Sequence, residues 1–262
     1  MLKRFFLVLV LLLFLMDAMA RASTFYTIQT GTFYSEKNAL KHFNIIRQRV
    51  PIRWLLWLRA EKAGRFYVVR VGRFPDRVSA KETLKIIQRT IKDAVLVKTS
   101  GADEVIKILT PEDIEIELNV RLIKAYILKG DLNRAEKEAK KALSRWPKHS
   151  EFYGLMGTIY LKRAKYLKAY TSFSRAISLN DKVAEYYNGA GYALLSIGRV
   201  EEALFDFQKA LKLKPDYADA LAGTAYCYIE LGLKDDALMV YNHLKGIDPE
   251  AAKEVFKALM YE

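Results

Sequence analysis

The sequence has few of the residues that build disulfides, metal centres and catalytic sites. Its 262 residues include a single cysteine, Cys227, and three histidines that lie far apart in the sequence. One cysteine excludes an internal disulfide framework and any multi-cysteine zinc or iron–sulfur site. A phosphate-binding loop, a nucleophile elbow, a paired-histidine metal motif and a Gly-rich dinucleotide turn are also missing. We therefore predict a non-enzymatic protein that uses no cofactor and no metal.

The longest apolar run is too short to span a bilayer. It covers Phe5–Met16, twelve residues or about 18 Å of helix against a hydrocarbon core of about 30 Å. Two basic residues precede the run and small residues follow it at alternating positions: Lys3 and Arg4, then Ala18, Ala20 and Ala22. This pattern predicts a secretory signal peptide over residues 1–22 and export to the periplasm or cell envelope, with no stable membrane span after cleavage. An uncleaved inner-membrane anchor is the alternative.

Acidic residues are scarce in the first half of the chain. Residues 23–100 contain 16 basic and 5 acidic side chains, a net charge of +11, whereas residues 101–262 contain 24 of each. This asymmetry indicates two modules with different partners, of which the first attracts polyanions. Export makes a nucleic-acid partner unavailable, so we predict none.

Residues 23–100 predict a small α+β domain. Alternating β-branched and aromatic residues indicate strands, and apolar residues at helical spacing indicate two helices. The resulting order is β-α-β-β-α-β, a ferredoxin-like arrangement of one antiparallel sheet with both helices on one face. The predicted elements are strands 24–30, 52–60, 65–71 and 94–98, with helices over 35–50 and about 80–91.

The face opposite the helices is predicted to be open. Alternation along the strands places aromatic, arginine and amide side chains on it: Phe25, Thr27, Gln29, Arg53, Trp57, Arg59, Phe66, Val68 and Arg70. Aromatic rings stack on the apolar faces of sugars, while Arg and Gln donate hydrogen bonds to hydroxyls and carboxylates. The alternative is that these rings only pack the sheet or dock the second module.

Two motifs in this domain resemble those of the SPOR (sporulation-related repeat) family. They are Tyr26-x-Ile28-Gln29-x-Gly31-Thr32-Phe33 and Tyr67-Val68-Val69-Arg70-Val71-Gly72-Arg73-Phe74. The resemblance implies binding to bacterial peptidoglycan, with a preference for glycan strands poor in stem peptides. It carries over Gln29, Thr32 and Arg70 as binding residues by motif position. Arg53 and Trp57 join the predicted glycan site on the face assignment alone.

An RNA-recognition module shares this strand order and also uses aromatic residues on its sheet. The predicted export signal argues against that interpretation. The third strand also lacks the aromatic-rich Arg/Lys-Gly-Phe signature of such modules.

The second half of the chain repeats every 34 residues. Small residues recur at this spacing, as in Ala135, Ala169, Ala203 and Ala237. The pattern resembles tetratricopeptide (TPR) repeats, which implies a four-repeat α-solenoid with a concave groove. The predicted units are residues 116–149, 150–183, 184–217 and 218–251, with a capping helix over 252–262. Residues 101–115 are predicted to form an apolar junction.

The resemblance implies that the first helices of the repeats line a groove for a protein or peptide partner. The candidate groove residues are Lys124, Lys162, Asn188, Tyr192 and Tyr226. They lack the repeated Lys/Asn pattern that clamps a carboxyl terminus in TPR co-chaperones, so that ligand is not transferred. The alternative is a groove that only solubilises the protein or self-associates.

These observations predict an exported bacterial envelope protein that binds peptidoglycan through the first module and a protein partner through the second. Such an adaptor fits cell division or envelope assembly. The alternative is a periplasmic assembly factor or chaperone whose basic domain docks an acidic protein.

Overall fold

The computed structural model describes residues 25–99 and 104–261. The signal peptide predicted at residues 1–22 lies outside this part of the chain. Among the described residues, no helix combines the length and the apolar character needed to cross a membrane. Contacts divide the chain into two compact units, Met1–Leu118 and Asn119–Glu262.

The first unit is built on one antiparallel sheet in the order β4-β1-β3-β2-β5. The predicted β-α-β-β-α-β order is confirmed, because helices α1 and α2 follow β1 and β3. The elements are β1 (Phe25–Phe33), α1 (Glu36–Arg49), a 3₁₀ helix (Ile52–Trp57), β2 (Leu58–Ala63), β3 (Phe66–Phe74), α2 (Arg77–Gln88), β4 (Val95–Thr99) and β5 (Glu104–Ile108).

The core of this unit lies between the helices and one face of the sheet. Phe43 and Ile87 of the helices pack with Ile28 and Val69 of the strands, and all four are at most 1% exposed. Helix α2 begins after Asp76, whose carboxylate accepts hydrogen bonds from the Val78 and Ser79 N–H groups at 2.8 and 2.9 Å. These elements leave the opposite face of the sheet to the polar residues described below.

The strand predicted over residues 52–60 is wrong in its first part. Residues 52–57 form a 3₁₀ helix, and the strand runs over 58–63 instead. The Trp54 N–H donates to the Pro51 carbonyl at 2.9 Å, which starts the turn. A spacing of three residues brings Ile52, Leu55 and Leu58 to the core, and Leu55 and Leu58 are fully buried. The run is apolar without strict alternation, so its pattern also fits this helix.

The junction predicted over residues 101–115 is also wrong in its centre. Residues 104–108 form β5, which pairs antiparallel with β2, and helix α3 begins at Pro111. The apolar residues of this segment belong to the strand. β5 covers the edge of β2 that the four-stranded prediction left unpaired.

The second unit consists of helical hairpins followed by a last helix. Its helices are α3 (Pro111–Leu128), α4 (Leu132–Arg145), α5 (Ser150–Lys162), α6 (Tyr166–Leu179), α7 (Ala184–Leu195), α8 (Val200–Leu213), α9 (Ala218–Glu230), α10 (Lys234–Ile247) and α11 (Pro249–Tyr261). The hairpin turns hold Gly130, Gly198 and Gly232 at φ values of 75°, 76° and 72°. The predicted α-solenoid is therefore confirmed. Helix α11 starts three residues before the predicted capping helix.

Two phenylalanines join successive hairpins. Phe173 sits between Gly157 and Gly189, and Phe207 between Gly191 and Gly223. A Cβ atom at any of these glycines would lie 2.3–2.8 Å from the ring it faces. Each ring thus needs a bare glycine on its own hairpin and another on the next, which fixes the stacking of the repeats.

Candidate functional site

One row of polar residues crosses the sheet on the face opposite the helices. Gln29 of β1 lies opposite Arg70 of β3, and Arg70 lies opposite Arg59 of β2. Directly paired residues of antiparallel strands point to the same side, so the three side chains share this face. The predicted alternation is thus correct for these strands.

The expectation of an open face is wrong for the middle of the sheet, where Phe25, Thr27 and Val68 are at most 3% exposed. The expectation of exposed arginines is also wrong for Arg59 and Arg70. Their residues are only 7% and 5% exposed, and Glu61, two positions after Arg59, is 4% exposed. Glu61 Oε2 accepts a hydrogen bond from Arg70 Nη1 at 2.8 Å, and Glu61 Oε1 accepts one from Arg59 Nε. Sequence reasoning placed Glu61 in a turn and missed it. The available signal was its spacing: Glu61 follows Arg59 by two positions, which in a strand puts both side chains on the same face.

Arg59 has further partners inside the sheet. Its Nη1 donates to the Gly72 carbonyl at 3.0 Å, and its Nη2 donates to Thr27 Oγ1 at 3.1 Å. Burial lowers the pKa of the Arg59 guanidinium, while the charge of Glu61 opposes that shift. Arg59 is therefore a structural cation held by the fold.

Arg70 connects this buried cluster to the accessible part of the face. Its Nε donates to Gln29 Oε1 at 3.4 Å, and Gln29 Nε2 donates to Thr32 Oγ1 at 2.7 Å. The structure thus brings together the three residues that the SPOR resemblance implies. Because Gln29 Oε1 faces Arg70, the second amide hydrogen and the Thr32 hydroxyl hydrogen are left to donate to a ligand. Thr32 is exposed and Gln29 is half-buried.

An aromatic pair lies beside these donors. Tyr34, which is 80% exposed, has its ring centroid 5.1 Å from that of Phe66. The Arg65 guanidinium lies 5.0 Å from the centroid of Phe66. Sequence reasoning missed Tyr34 because it ended β1 at residue 30, whereas β1 runs to Phe33. It missed Arg65 because alternation along the predicted strand 65–71 placed Arg65 on the face opposite Phe66 and Arg70. We call Gln29, Thr32, Tyr34, Arg65 and Phe66 the sheet corner.

Arg53 and Trp57 do not belong to this corner. Both lie on the 3₁₀ helix, so the strand alternation that assigned them to the face does not apply there. The exposed Arg53 guanidinium stacks 5.6 Å from the centroid of Trp54. The Trp57 carbonyl accepts a hydrogen bond from Arg59 Nη1 at 3.3 Å. Neither residue makes a side-chain hydrogen bond to Gln29, Thr32 or Arg70.

In the second unit, groove residues link the first helices of successive hairpins. Lys124 Nζ lies 2.7 Å from Glu151 Oε1. Asn188 Nδ2 donates to the Tyr217 hydroxyl at 3.4 Å, and the Tyr192 hydroxyl donates to the Asp219 carbonyl at 2.7 Å. Burial, followed by the charge of Asp219, raises the pKa of Tyr192.

The other two predicted groove residues are less constrained. Lys162 is exposed at the end of α5, and Tyr226 is half-buried on α9. Burial raises the pKa of Tyr226, and the charge of Glu254 adds to that shift. Asn188, Tyr192 and Tyr226 thus lie on the first helices of the third and fourth hairpins.

Comparison with known families agrees with both halves of this structure. Residues 22–98 match the SPOR domain model, and residues 155–211 and 194–260 match two tetratricopeptide repeat models. The chain contains a SPOR domain followed by TPR repeats. The SPOR match ends before β5, and the TPR matches begin after the first hairpin. Strand β5 and the first helical hairpin are therefore seen in the structure alone.

Two solved structures are similar to part of this chain. A crystal structure of MamA protein is 24% identical, covers 56% of this chain and 90% of its own, and has a TM-score of 0.47. An O-GlcNAc transferase mutant from Thermobaculum terrenum is 24% identical, covers 53% of this chain and 27% of its own, and has a TM-score of 0.50. At these identities the likeness concerns the fold alone. Comparison with the curated proteins found no match.

Proposed function

We propose that this protein is a non-enzymatic, exported adaptor of the bacterial cell envelope. Its SPOR domain binds peptidoglycan glycan strands, and its TPR repeats bind a protein partner. The role fits cell division or envelope assembly. The match to the SPOR family supports a peptidoglycan-binding module, and the TPR matches support protein-interaction repeats.

The observation that carries the glycan proposal is the sheet corner. Tyr34 and Phe66 offer ring faces for stacking on sugars, and Gln29 and Thr32 offer donors for hydroxyl and carbonyl oxygens. Arg65 adds an exposed guanidinium. A glycan strand without stem peptides carries free lactyl carboxylates, which suit a guanidinium better than amides do.

In this proposal Arg70 acts indirectly, because its side chain is buried. With its guanidinium held by Glu61, Arg70 orients the Gln29 amide through the contact at 3.4 Å. Glycan binding by Arg70, Arg53 and Trp57 themselves stays a prediction from sequence. The corner residues Tyr34 and Arg65 are the better first targets, because both are exposed.

A pull-down on purified peptidoglycan sacculi tests the proposal. The full chain should be retained, and more strongly after amidase treatment has removed stem peptides. Arg65→Ala should lower retention at least fivefold, whereas Arg89→Ala, at an exposed arginine after α2, should leave it unchanged. Equal losses for both variants would indicate non-specific charge attraction. Absence of retention on either form of sacculi would overturn the glycan proposal.

One observation favours the second candidate function, an assembly factor or chaperone whose basic domain docks an acidic protein. The central arginines of the sheet are buried, while exposed lysines lie on the helices, as at Lys37, Lys41, Lys81 and Lys85. A helical basic surface suits an acidic protein as well as a polysaccharide. Stoichiometric co-purification of one acidic protein, together with no sacculus retention, is the outcome that supports this candidate.

A further inference from the structure

The second residue of each repeat is acidic. Glu117, Glu151, Glu185 and Asp219 recur at the 34-residue spacing; the last three lie in the first turn of a first helix, whereas Glu117 is the seventh residue of α3. Carboxylates in a first turn interact favourably with the helix dipole, which by itself accounts for those three. Their partners within the chain, however, differ along the solenoid.

The first two carboxylates are neutralised within the chain and the last two are not. Arg47 Nε lies 3.0 Å from Glu117 Oε2, and Lys124 Nζ lies 2.7 Å from Glu151 Oε1. Glu185 and Asp219 are exposed and make no ion pair with any described residue. Unmet negative charge is therefore concentrated where the third repeat meets the fourth.

Two tyrosine hydroxyls lie near the helix starts that carry these carboxylates. The Tyr192 hydroxyl donates to the Asp219 backbone carbonyl at 2.7 Å, and the Tyr217 hydroxyl lies between the third and fourth repeats at 3.4 Å from Asn188 Nδ2. Burial raises the pKa of Tyr217 to about 12, and the charges of Asp219 and Glu185 both add to the shift. Both carboxylates thus act on the same hydroxyl. We call Glu185, Asn188, Tyr192, Tyr217 and Asp219 the Tyr217 patch.

A second feature of the patch is an acceptor without a donor. Asn188 is 7% exposed, and its Oδ1 has no hydrogen-bond partner among the described residues. A buried amide oxygen without a partner is costly, and a donor from a ligand would satisfy it. The patch also has a cation nearby: Lys214 Nζ lies 4.3 Å from the Tyr217 ring centroid and makes no ion pair with either carboxylate. The Tyr217 ring thus already accepts an ammonium group.

We infer that the Tyr217 patch binds a lysine or arginine side chain of a basic protein segment. The two carboxylates supply the charge and Asn188 supplies an acceptor, while the Tyr217 ring is already in contact with Lys214 of the chain itself. The inference rests on the proposed function in one respect, because it names the class of partner that the TPR groove holds. The inferred ligand is basic, whereas a TPR groove that clamps a peptide carboxylate binds an anionic group.

Binding of labelled peptides to the full chain tests the inference. The probes are three capped peptides of equal length that alternate glycine with lysine, serine or glutamate. Fluorescence anisotropy at low salt should show at least tenfold tighter binding of the lysine peptide than of the serine peptide; the glutamate peptide measures attraction to the basic SPOR domain. Binding of the lysine peptide no tighter than that of the serine peptide would overturn the inference.

Paired variants locate the site. Replacing both carboxylates, Glu185→Gln with Asp219→Asn, should lower the affinity for the lysine peptide at least tenfold. The matched control, Glu201→Gln with Asp235→Asn, removes two exposed carboxylates from second-helix starts and should change affinity less than twofold. Equal weakening by both pairs would also overturn the inference. The single variant Glu185→Gln, at an exposed residue, serves if the double variant does not fold.

Sacculus retention of the same variants separates this inference from the glycan proposal. If the wild-type chain binds the lysine peptide but not sacculi, the inference holds and the glycan proposal fails. If the wild-type chain is retained on sacculi but binds the lysine peptide no more tightly than the serine peptide, the inference fails and the glycan proposal holds.

Discussion

At the scale of single residues, one buried carboxylate determines what the sheet offers to a ligand. Glu61 holds Arg59 and Arg70 on the face opposite the helices, so neither guanidinium is presented to solvent. The accessible groups are instead those of the sheet corner, which Arg70 reaches through Gln29. The face thus has a buried ion-pair cluster at its centre, and the hydrogen-bonding and aromatic groups of the sheet corner at its edge.

Replacing Glu61 by glutamine should destabilise the SPOR domain. The change removes a carboxylate that is bonded to two buried guanidinium groups, and breaking such a buried pair costs about 3–5 kcal/mol. Urea unfolding followed by circular dichroism measures the loss. The matched control is Glu82→Gln, at an exposed residue of α2, which should change the free energy of unfolding by less than about 0.5 kcal/mol. A similar small change for Glu61→Gln would mean that the pairing contributes little.

Asp206 in the third repeat predicts a pH-dependent stability effect. Burial, together with the charge of Glu202, raises its pKa from 3.8 to about 6. The folded protein then holds this proton more tightly than the unfolded chain does, so stability falls as the pH rises from 3.8 through about 6. Asp206→Asn should raise the Tm at pH 7, and the gain should shrink towards pH 4. Asp181→Asn, at an exposed loop position, should show no such dependence in the same thermal scans.

The residues of the sheet corner were partly predictable from sequence. Gln29, Thr32 and Arg70 follow from the SPOR motif and lie together. Tyr34 was missed because it lies beyond the predicted end of β1. Arg65 was missed because alternation along the predicted strand 65–71 placed it on the opposite face, whereas β3 begins at Phe66. The partner of Arg70 is set by the register of β2 against β3, which a single sequence does not specify.

At the scale of elements, the repeats were more predictable than the sheet. A 34-residue period is visible across four units, so local ambiguity in one unit is resolved by the others. The segments 52–57 and 104–108 have no such support. The first fits a three-residue helical spacing as well as a strand, and the second becomes a strand only because β2 has a free edge.

The phenylalanine-to-glycine contacts between hairpins give a prediction at this scale. Gly223→Ala would place a Cβ atom 2.3 Å from the Phe207 ring, so we expect a loss of about 1–3 kcal/mol. Gly246→Ala is the matched change in α10, where no atom lies within 4 Å of the added methyl group. It should be neutral or stabilise the protein by up to about 1 kcal/mol. Chemical denaturation of both variants measures the difference. A Gly223→Ala protein as stable as wild type would contradict the packing of the Phe207 ring on Gly223.

At the scale of the whole molecule, the two units divide the charge and the proposed ligands between them. Residues 23–100 have a net charge of +11, while residues 101–262 contain 24 basic and 24 acidic side chains, among them the carboxylates of the Tyr217 patch that make no ion pair with a described residue. Each unit has its own buried core. A polyanionic partner is therefore expected on the first unit.

This separation predicts that the two binding activities respond to different variants. Tyr34→Ala should lower sacculus retention while leaving affinity for the lysine peptide within twofold of wild type. Glu185→Gln with Asp219→Asn should do the reverse, because the two sites lie in different units with separate cores and share no residue. Both assays on both proteins measure this. A variant that weakens both activities would indicate coupling between the units.

The strand β5 also sets where the SPOR domain can be cut. A fragment that stops at residue 98, the end of the family match, would bare the hydrogen-bonding groups along β2, the strand that carries Arg59 and Glu61. Bare strand edges recruit other strands, so such a fragment is prone to self-association during purification. Extending it through residue 110 keeps the edge covered, and soluble material for glycan-binding work should come from the longer piece.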